Sequence, residues 1–377
     1  MARRSIGKPR FYADTLQYLK ALGYYDGNDF ETIYLPTSSS DLGSENGIWN
    51  LDPINNTNFT LNGTKYRHRY QINFNKQSIN QDLLMTNVPQ SDVSGLYAGI
   101  LGHDFKPRTA VGNNEAGANN KIVVRIRRES TSSASYHYEV CGDITKIVNF
   151  EPDEGTMQDG KIYKKGYSFW NIGEITADSD DGHLSNAVEF HVSRPNLGED
   201  ETYNIGAFTF GRWFEPEFAF DLKGTISNSY EGVNVQNTVG GSTLSNIKHL
   251  GQPNWGNGLP AWAITDRIDE DYNLGGAKGR RSWQVGFSYL TDDKIFNKAG
   301  NPDKFFTYDE DTEQHTFDTS LGSFLKLTLN GKLPFIFCPD SSADDLEFAL
   351  CRVTNQPSFS QVANNLFSTS LTITETW

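Results

Sequence analysis

The chain has 377 residues, enough for two or three domains, and 13 % are aromatic, with 24 Phe and 17 Tyr against 3 Met. No run of about 18 apolar residues exists and mean hydropathy is −0.55, which excludes apolar membrane-spanning helices. The net charge of −14 is uneven: residues 1–145 hold 15 Lys+Arg against 14 Asp+Glu, the remainder 18 against 33, and so acidic a C-terminal part repels nucleic acid.

Residues 11–22 read as the one short N-terminal helix, because Tyr12, Leu16 and Leu19 recur at helical spacing and Gly23 follows as a stop. Residues 24–64 lack a pattern and read as an extended arm or large loop, packed on its own domain or reaching to a neighbour. From residue 65 strand signals dominate. Tyr66, His68, Tyr70, Ile72 and Phe74 alternate with polar residues, and residues 121–128 carry Ile122, Val124 and Ile126, with 136–141 as the hairpin partner. The acidic, turn-rich stretch 151–160 marks a domain boundary. The expected units are 1–64 (helix and arm), 65–150 (a small β module) and 151–377 (a larger β-sandwich or split-barrel module).

In the larger unit, strands are expected at 188–192, 205–210, 218–222, 282–290, 324–329, 333–337, 346–353 and 368–377. A short helix is expected at 361–367, and long insertions at 224–251 and 294–314. Along 282–290, Trp283, Val285, Phe287 and Tyr289 share a face. The final ten residues alternate strictly, with Leu371, Ile373, Glu375 and Trp377 on one side, so this end is expected to be held in a sheet. The fold class is therefore mainly β.

Catalytic and metal-binding patterns were sought and none emerges. Asp178, Asp180 and Glu189 fall at calcium-loop spacing, but position 5 is Gly182 and position 6 is His183, so an acidic turn is the reading. The seven histidines form no paired ligand spacing. There is no nucleophile elbow and no phosphate-binding loop, Gly275–Arg280 lacking the required spacing. No enzyme, metal or cofactor is expected. The aromatic stretches holding Trp213, Trp255 and Trp262 could stack on sugar rings, although aromatics are equally the content of interface cores. Residues 1–10 are basic without a following apolar segment, so no secretory signal is expected. Cys141, Cys338 and Cys351 are too few for a disulfide framework; buried thiols are expected, with the pairing of Cys338 and Cys351 left open. The sequons at Asn55, Asn58 and Asn62 are then expected to carry no glycan.

Several stretches look familiar as a set: Gly240-Gly241-Ser242-Thr243-Leu244, Gly251-Gln252-Pro253-Asn254-Trp255-Gly256, the run from Gly279 to Leu290, Leu333-Pro334-Phe335-Ile336-Phe337, and Asn365 to Leu371 with Glu375 and Trp377. Together, over about residues 160–377, they resemble virion structural proteins of tailed bacteriophages, in particular minor tail or distal-tail (baseplate-associated) proteins. The resemblance implies a β-sandwich or split-barrel core assembling into a ring around the tail axis, in a virion put together in the host cytoplasm. The expected partners are further copies of the chain and other virion proteins. Arg280, Arg281, Trp283, Trp255 and Trp377 are the candidate interface residues, the two arginines pairing with acidic loops such as 269–271 or 309–311 of a neighbour. The alternatives are a receptor- or carbohydrate-binding virion protein using Trp213, Trp255 and Trp262 against a host-surface glycan, and a capsid decoration protein.

Overall fold

A computed structural model of the chain describes residues 7–23, 30–35, 40–42, 46–52, 57–61, 67–73, 96–103, 121–128, 137–139, 161–164, 166–172, 185–193, 201–216, 219–230, 233–245, 254–255, 259–260, 279–295, 306–309, 314–317, 320–342 and 348–376. In its first part the strands are β1 (Arg10–Asp14), β2 (Phe30–Leu35), β3 (Ser40–Leu42), β4 (Thr57–Leu61), β5 (Arg67–Asn73) and β6 (Leu96–His103). The expected helix is shorter than its periodicity suggested. Residues 10–14 form β1, and only α1 (Thr15–Ala21) is helical, capped by Asp14, whose carboxylate accepts the Gln17 amide at 3.0 Å. Tyr12 therefore lies on a strand and not on a helical stripe with Leu16 and Leu19. A one-turn 3-10 helix, Asn46–Trp49, follows. Ile48, Trp49 and Leu51 are buried, so this part of the expected arm is packed into the molecule's own core.

The middle strands are β7 (Lys121–Arg128), β8 (His137–Glu139), β9 (Lys161–Lys164), β10 (Gly166–Ile172), β11 (Ser185–Ser193), β12 (Glu201–Ile205) and β13 (Ala207–Phe214). β8 pairs with β7 as the sequence suggested. The last part holds β14 (Thr225–Ser229), β15 (Val235–Asn237), β16 (Thr243–Ser245), β17 (Asn254–Trp255), β18 (Leu259–Pro260), β19 (Arg280–Thr291), α2 (Asp292–Ile295), β20 (Phe306–Asp309), β21 (Gln314–Phe317), α3 (Leu321–Leu327), β22 (Phe335–Cys338), β23 (Ala349–Val353), β24 (Ser360–Ala363) and β25 (Leu366–Glu375).

Four expectations here are corrected. Residues 324–329 belong to a helix and the turn after it: Ser320 caps α3 by accepting the Ser323 amide, and Leu321, Phe324 and Leu325 bury one helical face. Residues 361–367 are not helical but a β-hairpin, turning at Asn364–Asn365, where Asn365 takes φ 55°. The described part of 218–222 is irregular, with a turn beginning at Leu222, and not strand. Along β19, a register shift between Phe287 and Leu290 moves the buried phase by one residue, so Leu290 is buried and Tyr289 faces solvent.

The protein is mainly β. Its largest unit is an 11-stranded antiparallel sheet in the order β14-β19-β25-β23-β22-β1-β13-β6-β10-β9, with β24 attached to β25. A second sheet runs β3-β2-β5-β11-β7-β8. These sheets draw strands from all three segments expected as units: β1 and β6 pair with β13, and β5 and β7 both pair with β11.

The large sheet is strongly curled. β19 and β22 are three strand steps apart, about 14 Å across a flat sheet. Yet the rings of Trp283 and Phe337 on those strands lie 5.2 Å apart. The concave face is filled by Phe11, Phe220, Phe287, Phe335 and Phe337, and Phe324 of α3 stands 4.6 Å from Phe11 and 4.9 Å from Phe335. The opposite face carries Tyr12, Leu51, Tyr97, Leu101, Ile336, Cys338, Phe348 and Leu350. The central strands are thus buried on both sides, which explains the unbroken apolar run of β22. Phe190 of β11 stacks on Phe208 of β13 at 4.2 Å, with Trp49 beside both, and so ties the second sheet to the first. Each such ring contributes roughly 1.5–3 kcal/mol by burial.

Candidate functional site

A feature that this core leaves largely exposed is the arm formed by residues 222–230 and 233–245. It is rooted firmly. Phe220 is buried against Phe287 at 5.0 Å, the Asp221 amide donates to the Gly286 carbonyl at 2.9 Å, and the Ser288 hydroxyl donates to the Asp221 carboxylate at 2.5 Å. The chain then leaves the body. Leu222 is fully exposed, and β14 joins the sheet margin by pairing with β19 from Thr225↔Gln284 to Ser229↔Arg280. Every residue of β14 is exposed, including Ile226.

Beyond it, β15 and β16 form a hairpin whose residues are exposed throughout. Its turn is internally built. The Thr238 amide donates to the Ser242 carbonyl at 2.8 Å, the Ser242 amide to the Thr238 hydroxyl at 3.0 Å, and the Gly241 amide to the Thr238 carbonyl at 2.9 Å. Gly241 takes φ 81°, which a side chain would strain. Val239, at the turn, is 110 % exposed, and Val235 and Leu244 are mostly exposed. Residues 233–245 contain no charged side chain, in a chain with 33 basic and 47 acidic residues. Exposed strands usually carry lysines, prolines or bulges that discourage pairing. This arm has none of them among residues 224–230 and 233–245.

A cavity of about 380 Å³ opens beside the root of the arm, lined by Glu215, Asp221, Phe287, Leu290, Lys294 and Leu321 among others. Its Asp221 carboxylate is engaged by Ser288. Among the described residues no group of His, Cys, Asp and Glu is arranged to hold a metal ion, and no helix is long and apolar enough to cross a membrane.

The residues singled out from the sequence are distributed differently from expectation. Arg281 and Trp283 are corrected from interface to interior. Trp283 is 2 % exposed on the concave face, and Arg281, 5 % exposed, pairs with Glu375 of the same chain. Arg281 shares the buried phase of β19 with Trp283, and its carboxylate partner comes from β25 of the same chain and not from a neighbour's acidic loop. Arg280 is half-buried at the arm's root, opposite Ser229. Trp213 is half-buried. The Arg10 guanidinium covers its ring at 4.2 Å, which occupies a face that a sugar would need.

Around Arg10 a polar cluster is closed by Glu215, which accepts from Lys8 at 2.9 Å, from Arg10 at 2.6 Å and from the Ser341 hydroxyl at 2.9 Å. Burial alone would raise the Glu215 carboxyl, but these donors hold it below the usual carboxylate range. Trp255 lies in β17, with its backbone paired to Leu259 of β18. Trp262 and Trp377 lie outside the described residues, as do the acidic loop 269–271 and the candidate calcium turn 178–183.

The residues that sequence reading missed are Leu222, Ile226, Val239 and Leu244. The insertion 224–251 was legible, but its residues were not read as a site. The usable signal was the uncharged run at 233–245. Comparisons with protein-family models, with curated proteins and with solved structures found no match.

Proposed function

We propose that this chain is a structural subunit that acts by joining other protein chains, in the manner of tail-tip, distal-tail or tail-adaptor proteins of bacteriophage virions. The observation that carries the reading is the arm at 222–230 and 233–245: well rooted, internally hydrogen-bonded, uncharged along its hairpin, and exposed at its apolar turn. An exposed apolar element that is also ordered is typical of a surface completed by a partner. The virion setting rests on the resemblance of the C-terminal motifs. A β-sandwich ring around a tail axis is the form that resemblance suggests. The sugar-binding alternative is weakened by Arg10 lying over Trp213.

The test has two arms. Antibody labelling of particles from the chain's source, viewed by electron microscopy, should place the chain at the tail. The Val239→Asp/Leu244→Asp variant should fold as the parent does, judged by its melting temperature, but be excluded from particles. Particles lacking the chain, or normal incorporation of the variant, would overturn the proposal.

A further inference from the structure

We infer that the face of the second sheet turned away from the first sheet is a basic docking surface, and that its occupant is the acidic C-terminal part of a second copy of the chain. This rests on the reading of the chain as an assembly subunit and names one contact between copies.

The face follows from register. Phe190 of β11 is buried and stacked on Phe208, so its side of the second sheet meets the first. Tyr70 of β5 and Val124 of β7 stand opposite Phe190 and share that side. The intervening positions form the other side, and on β5 and β7 they include Arg67, Arg69, Lys121, Arg125 and Arg127. The acidic residues placed on this side among the described strands are Glu31, Glu189 and Glu139, and all three fall in the row of Arg125. Glu189 and Glu139 stand directly opposite Arg125, one on each neighbouring strand, so the charge of that row is matched within the sheet.

The other four basic positions have no acidic residue directly opposite. Arg67 stands between Leu35 and Ser193, Arg69 between Ile33 and His191, and Arg127 between Ala187 and His137, while Lys121 pairs with Ser193. Arg67 and Lys121 are thus two strand steps apart, about 10 Å, and Arg69 lies about 7 Å along β5 from Arg67. Three cations share one corner of the face.

The occupant follows from charge. Residues 146–377 hold 18 Lys+Arg against 33 Asp+Glu, a balance of −15, in a chain of net charge −14. Most approaches of two copies therefore set acid against acid, and the basic corner meeting the acidic part of a neighbour is an approach that attracts. The two surfaces differ, so the contact runs head to tail. Such a contact repeats from copy to copy into a ring or an open filament.

The experiment uses the full chain. In sedimentation velocity the parent should self-associate at low salt, with affinity falling about ten-fold as salt rises from about 50 mM to about 300 mM. The Arg67→Thr/Arg69→Thr/Lys121→Thr variant should lose about ten-fold in self-association at low salt, yet still bind the parent, because its acidic part is intact. Arg67→Lys/Arg69→Lys keeps the charge and should keep the association. Lys223→Ser/Lys332→Ser removes exposed charges of the same sign from the acidic part and should not weaken association. Melting temperatures equal to the parent's would show that each variant is folded.

A parent that stays monomeric at low salt, association indifferent to salt, or a triple Thr variant that associates with itself as the parent does would overturn the inference. So would a monomeric parent that binds a single-stranded DNA oligonucleotide through these three residues, since the occupant would then be nucleic acid. If the parent is monomeric yet the Val239→Asp/Leu244→Asp variant is still excluded from particles, this contact falls and the structural role stands. If copies associate through this face but the chain is absent from particles, the proposed role falls and the contact stands.

Discussion

Arg281 and Glu375 face each other across β19 and β25 in a buried two-pronged ion pair. Arg281 Nη2 lies 2.9 Å from Glu375 Oε1 and Arg281 Nε 3.2 Å from Oε2, and the Arg281 amide also donates to Oε2 at 3.1 Å. The guanidinium lies 5.0 Å from the Trp283 ring, and Nη2 reaches the Phe348 carbonyl at 3.4 Å. The pair thus joins two strands near the open end of the curled sheet. Its carboxylate has no exposed surface.

Removing one partner should be costly, because it strands a charge away from water. Glu375→Gln is expected to destabilise the chain by about 3–5 kcal/mol. The joint replacement Arg281→Met/Glu375→Leu should recover most of that loss, since apolar substitutes remove both desolvation penalties. Urea unfolding of Arg281→Met, Glu375→Leu and the double variant measures the coupling directly.

Asp14 gives the stability a pH dependence. It is 2 % exposed, and burial raises its carboxyl from 3.8 to about 7, against the opposing hydrogen bonds of the Gln17 amide and Thr209. A raised carboxyl pKa means that the folded state holds the proton more tightly than the unfolded chain. The associated stability is fully present below pH 3.8, falls as pH rises, and is lost above about 7. The two values differ by the equivalent of about 4 kcal/mol. Asn caps helices as well as Asp does. Asp14→Asn should therefore gain on the parent between pH 4 and 7 and hold a constant advantage above, as read from melting curves across that range.

Gly211 lies where β13 passes the junction of β1 and α1. A Cβ there would stand 2.0 Å from the Ala13 carbonyl oxygen and 2.7 Å from the Thr15 amide, both backbone atoms that cannot swing aside. Gly211→Ala should cost about 3 kcal/mol. Gly240→Ala, where a Cβ meets nothing within 4 Å, should change the melting temperature little. The contrast between the two melts checks that the strand junction, not glycine content, sets the effect.

Cys338 and Cys351 are buried free thiols, and β22 pairs with β23 so that Cys351 lies opposite Phe335, three residues from Cys338. Burial, reinforced by the charge of Glu375, pushes the Cys351 thiol well above its usual range. Both should resist alkylation at neutral pH until the chain is unfolded by urea, and no link between them should appear under mild oxidation. Mass spectrometry of the labelled chain reads both outcomes.

Strand identity was legible wherever one face alone is buried, because alternation then survives in the sequence. β25 is the clearest case, with Thr369, Leu371, Ile373 and Glu375 buried, Ser370 exposed, and Thr372 and Thr374 half-buried between them. It became illegible where a strand is covered on both faces or runs straight into a helix. Tyr12, Leu16 and Leu19 read as one helical stripe, yet Tyr12 lies on a central strand and only the other two lie on the two-turn helix that follows. At 321–327 the Ser320 cap was present in the sequence, but an apolar run of that length fits either element until its neighbours are known. The candidate arm was visible as an insertion. Its exposure was not, since exposure depends on what the rest of the chain covers.

By itself the sequence determined the β-rich class, the presence of the 224–251 insertion and the charge map that leaves 233–245 neutral, because these depend only on local periodicity and composition. Tertiary structure decided which side of each element meets the core. The curl of the large sheet brings Trp283 to Phe337, turns Arg281 inward onto Glu375, and places β14, among the described residues, at the sheet's end. Those outcomes follow from contacts between residues tens of positions apart, whose geometry no stretch of neighbouring residues encodes.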